Sequence, residues 1–180
     1  MMTYPADGLL LKKVCMLGSF GVGKTSLVRR FVEGIFDDRY HTTVGVRIDR
    51  KRISAGRKEI HLILWDLAGE DELAQPKRSY IRGASGCILV VDGCRHATFD
   101  KAIAIQRRAA SIYGPMPVVV ALNKADRRSE WEIGQSEMDN LAENGWDVLD
   151  TSAKTGAGMD ALFTKITEKM LDEMNGHIAE

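Results

Sequence analysis

The residues whose types and spacing could do chemistry begin with the glycine-rich segment 18–26, GSFGVGKTS. It follows an apolar run at 14–17, which predicts a buried strand, and precedes apolar residues at helical spacing between 27 and 32. A strand, a glycine-rich loop and a helix N-terminus in this order can direct backbone N–H groups at phosphate oxygens. Lys24 could then reach terminal phosphates, and the Thr25 hydroxyl could ligate Mg²⁺. Taken alone, the segment is also compatible with a solvent-exposed glycine turn.

A second group of polar residues follows the apolar run that ends at Trp65. Asp66 stands at the end of this predicted strand, where an acid opposite a phosphate-binding loop can hold Mg²⁺ through water. Gly69 has no Cβ, so its backbone amide could approach a γ-phosphate closely. The alternative is an ordinary strand end capped by an aspartate turn.

Two more polar motifs follow the last two predicted strands. Asp126 comes shortly after the apolar run 118–122, and a carboxylate can accept from guanine N1–H and N2–H₂, a donor pair that adenine lacks. Lys124 could lay its alkyl stem along the base. In the last motif, the Ala153 amide could donate to guanine O6 and Ser152 could brace the loop. Each motif alone is compatible with a polar loop, but together the four motifs predict a guanine-nucleotide site.

The elements that must position these motifs alternate between strands and helices. The predicted strands are 9–18, 44–48, 60–66, 87–92, 118–122 and 146–149, with helices ending near 34 and at 80–81, 97–113, 136–144 and 159–170. Within 97–113, Ile105, Ala109 and Ile112 are predicted to share the buried face. This alternation predicts an α/β domain in which ligands bind at the carboxyl ends of the strands. The short link at 55–58 predicts an antiparallel hairpin.

Composition and cysteine usage limit the possible settings. The chain has 180 residues with 25 basic and 25 acidic side chains, so no overall field favours nucleic acid. Cys15, Cys87 and Cys94 lack metal-ligand spacing, and we expect them to be reduced core residues of a cytoplasmic protein. We expect a lead-in at 1–8, one domain at 9–174 and a tail at 175–180, forming a monomer without an intrinsic membrane anchor.

With these motifs, the chain resembles the small Ras-like GTPases, most closely the Rab branch, over residues 10–172. The Rab-like strings are YHTTVGV at 40–46, WDLAG at 65–69 and SYIR at 79–82. The resemblance implies a P-loop NTPase fold, with a six-stranded mostly parallel sheet, one antiparallel edge hairpin strand and helices on both faces. It also implies GTP or GDP and Mg²⁺ as ligands, with effector, activating and exchange proteins bound through residues 35–48 and 65–80.

The same resemblance assigns roles to individual residues. Thr43 would meet Mg²⁺ and the γ-phosphate, Phe36 would pack against guanine, and Tyr40 would fold over the phosphates. The residues expected to bind nucleotide are Gly18, Ser19, Phe20, Gly21, Val22, Gly23, Lys24, Thr25, Ser26, Phe36, Tyr40, Thr43, Gly69, Asn123, Lys124, Asp126, Ser152, Ala153 and Lys154. Those expected to hold the metal are Thr25, Thr43 and Asp66, and those expected in catalysis are Lys24, Thr43, Gly69 and Glu70.

Three features depart from the family pattern. Glu70 stands where the family places a water-orienting glutamine; a glutamate only accepts hydrogen bonds and adds negative charge, so we expect slow hydrolysis. The alternative is that Glu70 points away and another group orients the water. Phe20 could block an incoming arginine, shield the phosphates or serve only in packing. The chain also ends without a cysteine for prenylation, as an unlipidated, bacterial-type relative would.

Two rival functions remain open on the sequence alone. The first is a scaffold of the same fold that holds GTP or GDP without turnover. The second is a P-loop kinase that transfers phosphate to a small acceptor, although no arginine-rich lid sequence is present.

Overall fold

The computed structural model describes residues 10–39, 42–55, 58–68 and 78–176. The strands are β1 (Leu10–Leu17), β2 (Val46–Ala55), β3 (Lys58–Leu67), β4 (Gly86–Asp92), β5 (Val118–Asn123) and β6 (Asp147–Asp150). The helices are α1 (Lys24–Glu33), α2 (Arg78–Ile81), α3 (Ala97–Tyr113), α4 (Gln135–Glu143) and α5 (Met159–Gly176), with a 3₁₀ helix at Ala125–Glu130.

The six strands form one sheet in the order β2-β3-β1-β4-β5-β6. All neighbouring pairs are parallel except β2 and β3, whose antiparallel register joins Ala55 to Lys58 across the hairpin. The predicted fold class, with its one antiparallel edge strand, is therefore confirmed. β4 and β5 are buried along their whole length, as their continuous apolar sequences indicate for strands covered on both faces.

Alternating side chains of the strands build a core on each face of the sheet. In β1, Val14 and Met16 belong to the core that contains α1 and α5. Cys15 and Leu17 belong to the opposite core, which contains α3 and α4. Helices therefore cover both faces, and the parallel strands direct their carboxyl ends to the same edge.

The predictions for individual residues were mostly, but not always, right. Cys15 and Cys87 are buried neighbours across β1 and β4, and burial raises the pKa of their thiols to about 11 and about 12. The prediction that Ile112 lies on the buried face of α3 is wrong. Its side chain is 40% exposed, and the side of the helix that faces the core carries Phe99, Ala102 and Ala109. The period of α3 rotates Ile112 away from that line of residues.

The helices bear on the predicted domain boundary and on whether the chain could span a membrane. α5 continues to Gly176, two residues past the domain boundary predicted at 174. Across the ranges that the structure describes, no helix combines the length and the apolar character needed to cross a bilayer.

Candidate functional site

A cavity of about 370 Å³ opens where the segments after β1, β5 and β6 meet the segment between α1 and β2. Its volume lies in the usual range for small-molecule sites. Six cationic and three acidic side chains line it, a balance that suits an anionic ligand. The lining residues are Phe20, Gly21, Gly23, Lys24, Thr25, Ser26, Arg29, Ile35, Phe36, Asp37, Asp38, Arg39, Thr43, Leu67, Asn123, Lys124, Asp126, Arg127, Ala153 and Lys154.

Most residues that the sequence predicts for nucleotide binding share this cavity. Gly18, Ser19, Val22 and Ser152 are buried and do not line it. Tyr40, Gly69 and Glu70 lie outside the described residues. Arg29 and Arg39 line the cavity but were not singled out from the sequence, because single arginines in a helix and a loop carry no motif.

The phosphate-binding loop encloses the Lys24 side chain. Lys24 is 6% exposed, and its Nζ donates to the carbonyl oxygens of Gly18 at 2.8 Å and Ser19 at 2.9 Å. These bonds hold the ammonium within the loop, close to the first turn of α1. The buried Ser19 hydroxyl has no hydrogen-bond partner among the described residues.

Asn123 connects the phosphate-binding loop to the two loops at the far side of the cavity. It is 2% exposed, and its Nδ2 donates to the Val22 carbonyl at 2.9 Å. Its Oδ1 accepts from the Ala153 amide at 3.3 Å and from the Thr151 hydroxyl at 3.5 Å. Gly23 must lack a side chain here, because a Cβ at this residue would overlap the Asn123 amide. Asn123 therefore acts as a brace between loops.

Thr25, Thr43 and Asp66, the three predicted metal ligands, lie together. Thr25 Oγ1 donates to Asp66 Oδ2 at 2.5 Å and lies 2.6 Å from Thr43 Oγ1. Thr43 Oγ1 also lies 3.4 Å from Asp66 Oδ2, so the three side chains form one hydrogen-bonded cluster. Asp66 is fully buried, and its Oδ1 has no partner in the described part of the chain. Burial raises its pKa, which the Thr25 hydrogen bond and Lys24 oppose.

This oxygen cluster fits a divalent cation. Hydroxyl and carboxylate oxygens are the ligands that Mg²⁺ prefers, and a cation here could provide a partner for the unsatisfied buried Asp66 Oδ1 through a bound water molecule. It would also offset the cost of ionising Asp66 away from water.

At the other end of the cavity, Ser152 fixes the side chain of Asp126. The Ser152 hydroxyl donates to Asp126 Oδ1 at 2.5 Å and accepts from the Thr155 amide at 3.1 Å. Within the described residues, Asp126 Oδ2 has no hydrogen-bond partner. The Ala153 amide, predicted to donate to guanine O6, already donates to Asn123 across 3.3 Å. That long bond would have to be shared or released for the predicted contact to form.

Lys124 makes an ion pair that the sequence analysis missed. Its Nζ lies 2.6 Å from Oδ2 of Asp92, the last residue of β4, and Arg95 Nε lies 2.7 Å from the same oxygen. Burial raises the pKa of Asp92, but hydrogen bonds from Lys124 and Arg95 outweigh it and leave the pKa lowered. Arg95 also donates to the Phe20 carbonyl at 3.1 Å. Asp92 follows the same strand-end pattern as Asp66, so the sequence did contain a signal for it.

The fold and the site together define a P-loop nucleotide-binding protein. A Ras family model matches residues 13–172. The chain is 34% identical over 166 residues to the Ras-related protein RABC1 of Arabidopsis thaliana, which covers 90% of this chain and 78% of the relative. It is 33% identical to human Rab-4B (92% and 78% covered) and 32% identical to mouse Rab-32 (89% and 76% covered).

The chain therefore belongs to the Ras family, and the relatives named above are Rab proteins. The predicted family is confirmed, and with it a GTP-binding switch protein of the small GTPase type.

Proposed function

We propose that this protein binds GTP and GDP together with Mg²⁺ and hydrolyses GTP slowly, as a switch that protein effectors recognise. The observation that carries the proposal is the Asn123 brace, which joins the phosphate-binding loop to the loops that carry Asp126 and Ala153. A ligand that fills the cavity would therefore meet the phosphate-binding loop with Lys24 at one end and Asp126 at the other.

At the phosphate end, the backbone amides of the loop and Lys24 would bind the phosphate oxygens. The Lys24 ammonium donates to two carbonyls of its own loop, so little reorganisation separates it from phosphates that enter the loop. Such pre-positioned positive charge stabilises the negative charge that develops during phosphoryl transfer.

Thr25 and Thr43 would hold the metal directly, and Asp66 would hold it through a water molecule. When bound, Mg²⁺ would neutralise charge on the phosphate oxygens. Thr25 and Thr43 would then turn oxygen lone pairs, now hydrogen-bonded within the cluster, toward the cation. Asp66 would accept a hydrogen bond from the Thr25 hydroxyl and so keep the Thr25 side chain oriented.

At the base end, Asp126 would select guanine. Ser152 fixes one carboxylate oxygen and leaves the other without a partner among the described residues. A purine with two adjacent N–H donors could satisfy both oxygens, whereas adenine could not. The stem of Lys124, whose Nζ is held by Asp92, would lie along the base.

Hydrolysis would be slow because Glu70 stands where the family places the glutamine that orients the attacking water. We expect Glu70→Gln to raise single-turnover GTP hydrolysis, because an amide can both donate to and accept from the attacking water. An unchanged or lower rate would contradict this reason and favour the alternative that Glu70 points away. Gly69 and Thr43 would contact the γ-phosphate.

Partner proteins would bind residues 35–45 and 67–80, the two switch segments that the family resemblance implies, and strands β2 and β3 between them. Ile48 and Trp65 are register partners on β2 and β3, and Ile48 is 48% exposed. The Tyr80 ring lies 6.1 Å from that of Trp65, so the three side chains offer an apolar surface. We propose that effectors contact this surface, and that activating and exchange proteins bind through residues 35–48 and 65–80.

The direct test is to identify the nucleotide that co-purifies with the protein and to measure its dissociation rate in Mg²⁺ and in chelator. We expect GDP or GTP, released faster in chelator. Thr25→Ala should make release insensitive to Mg²⁺, whereas Thr164→Ala, an exposed threonine on α5, should not. Absence of guanine nucleotide, and no binding of added GDP, would overturn the proposal.

A nucleotide-binding scaffold without turnover remains the second candidate, because Glu70 departs from the family pattern. Multiple-turnover phosphate release, measured with and without cell extract, separates the two: a switch releases phosphate in at least one condition. Membership of the Ras family counts against the P-loop kinase, which would instead place the phosphate on an added acceptor.

A further inference from the structure

We propose that Trp131 is a positioning residue for the base end of the nucleotide site. Its indole N–H holds the peptide that carries Lys124 and leads to Asp126. The inference rests on the proposed function, since it assumes that Lys124 and Asp126 bind guanine. Trp131 lies outside the strand-end motifs, at the end of the 3₁₀ helix.

The first observation is a hydrogen bond to a strained residue. Trp131 Nε1 donates to the Lys124 carbonyl at 3.0 Å. Lys124 has φ 69° and ψ 37°, and among the described residues it is the one non-glycine residue with positive φ. The left-handed conformation is disfavoured for a lysine, so this conformation persists only where surrounding contacts hold the residue. Trp131 supplies one of those contacts, and the Lys124–Asp92 ion pair supplies another.

The second observation is the close fit of Trp131 against Gly93, the residue that follows β4. A Cβ on Gly93 would overlap the indole ring, so the absence of a side chain there makes room for Trp131. The Gly93 amide donates to the Asn123 carbonyl at 3.1 Å, and the Gly93 carbonyl accepts from the Glu132 amide at 2.8 Å. The indole is therefore fixed against the loop after β4, which is itself bonded to the backbone of Asn123.

The third observation links Trp131 to β6. The Arg128 guanidinium carbon lies 4.1 Å from the centre of the Trp131 ring, and Arg128 also pairs with Asp150 at the end of β6. Trp131 thus contacts residues that follow β4 and β5, and through Arg128 it reaches the end of β6. A side chain with these contacts can fix the orientation of the Lys124 peptide.

Trp131→Phe tests this role because it keeps an aromatic ring and removes the N–H. We expect GDP and GTP to dissociate about fivefold faster, the effect of one net hydrogen bond. The single-turnover rate of GTP already bound should stay unchanged, because the substitution acts at the base end. Trp146→Phe is the matched control: Trp146 makes no side-chain hydrogen bond within the described residues, so the dissociation rate should stay at the wild-type value.

A double-mutant cycle with Gly93→Ala tests the contact itself. In the wild-type background, the added methyl group should displace the indole and speed GDP release by at least as much as Trp131→Phe. In a Trp131→Ala background, the indole is absent and the added methyl group no longer overlaps it. Gly93→Ala should then increase the rate of GDP release only slightly. Additive effects would overturn the inference.

The outcomes separate this inference from the proposed function. Failure of the wild-type protein to bind GDP would remove the proposed function and this inference with it. Tight GDP binding by the wild-type protein with an unchanged dissociation rate in Trp131→Phe would overturn this inference alone. A lowered unfolding midpoint with an unchanged dissociation rate would also overturn it, because Trp131 would then serve folding only.

Discussion

Replacing Asn123 with alanine should weaken both the fold and nucleotide binding, because this one side chain joins three loops. The substitution removes the donor to the Val22 carbonyl and the acceptor for the Ala153 amide. Asn123 is 2% exposed, so water does not readily replace the lost partners. Each buried polar group left without a partner costs about 1–3 kcal/mol. With two such groups, we expect a loss of about 2–6 kcal/mol in the free energy of unfolding.

Urea denaturation with and without GDP measures both effects. A ligand at about 1,000 times its dissociation constant stabilises the folded state by about 4 kcal/mol. In Asn123→Ala the stabilisation by GDP should be smaller, because the phosphate-binding loop and the loops at the base end are no longer held in their relative positions. The control is Asn140→Ala, an exposed residue of α4, which should change stability by less than about 0.5 kcal/mol.

The reasoning about Asn123 would be refuted by either of two results. One is an Asn123→Ala protein that unfolds at the same urea concentration as the wild type. The other is a destabilised protein in which GDP still gives the full wild-type gain, since that would show that the brace does not couple the loops to the ligand.

Two other substitutions test other parts of the site. Asp92→Asn should cost about 1–2 kcal/mol, less than a fully buried pair, because Lys124 and Arg95 stay partly exposed. The folded-state pKa of Asp92 lies below its unfolded value, so its stabilising contribution is present above about pH 4 and is lost as the pH falls through the folded pKa. The cost measured by urea denaturation should therefore be constant from about pH 8 to pH 5 and decline below about pH 4; a cost that changes between pH 8 and 5 would contradict the assignment. Phe20→Gly should leave GDP affinity nearly unchanged, because residue 20 would bind phosphate through its backbone amide, which glycine keeps. The hydrolysis rate stimulated by cell extract should rise if the Phe20 ring, which is 37% exposed, blocks an incoming arginine; unchanged intrinsic and stimulated rates would assign Phe20 to packing.

The fold could be predicted from the sequence because each element carries a clear period. The buried strands β4 and β5 are continuous apolar runs, and the hairpin link between β2 and β3 is too short for a parallel connection. Three strand-end motifs then placed Asp66, Asn123 and Ser152 correctly at one edge of the sheet. This prediction needed only the rule that parallel strands end together.

Other parts of the site depend on contacts between segments that are distant in the sequence. Asp92 was missed because its strand-end position was not considered, although the pattern was the same. Trp131 could not have been found, because one aromatic residue in a polar stretch gives no period, and its fit against Gly93 exists only in three dimensions. The hydrogen bond between the Ala153 amide and Asn123 could not be predicted either, because the two residues are 30 positions apart in the sequence. Their expected contacts with the base stay predictions.

The central claim, that Asp126 selects the base, is tested by comparing the affinities of Asp126→Asn protein for guanosine and xanthosine diphosphates. Xanthine carries an oxygen where guanine carries its 2-amino group, so the substituted amide can donate to it. We predict that the substitution reverses the preference from guanosine to xanthosine, whereas Asp139→Asn, on the exposed face of α4, leaves the preference for guanosine in place. An undiminished preference for guanosine in Asp126→Asn protein would contradict the claim.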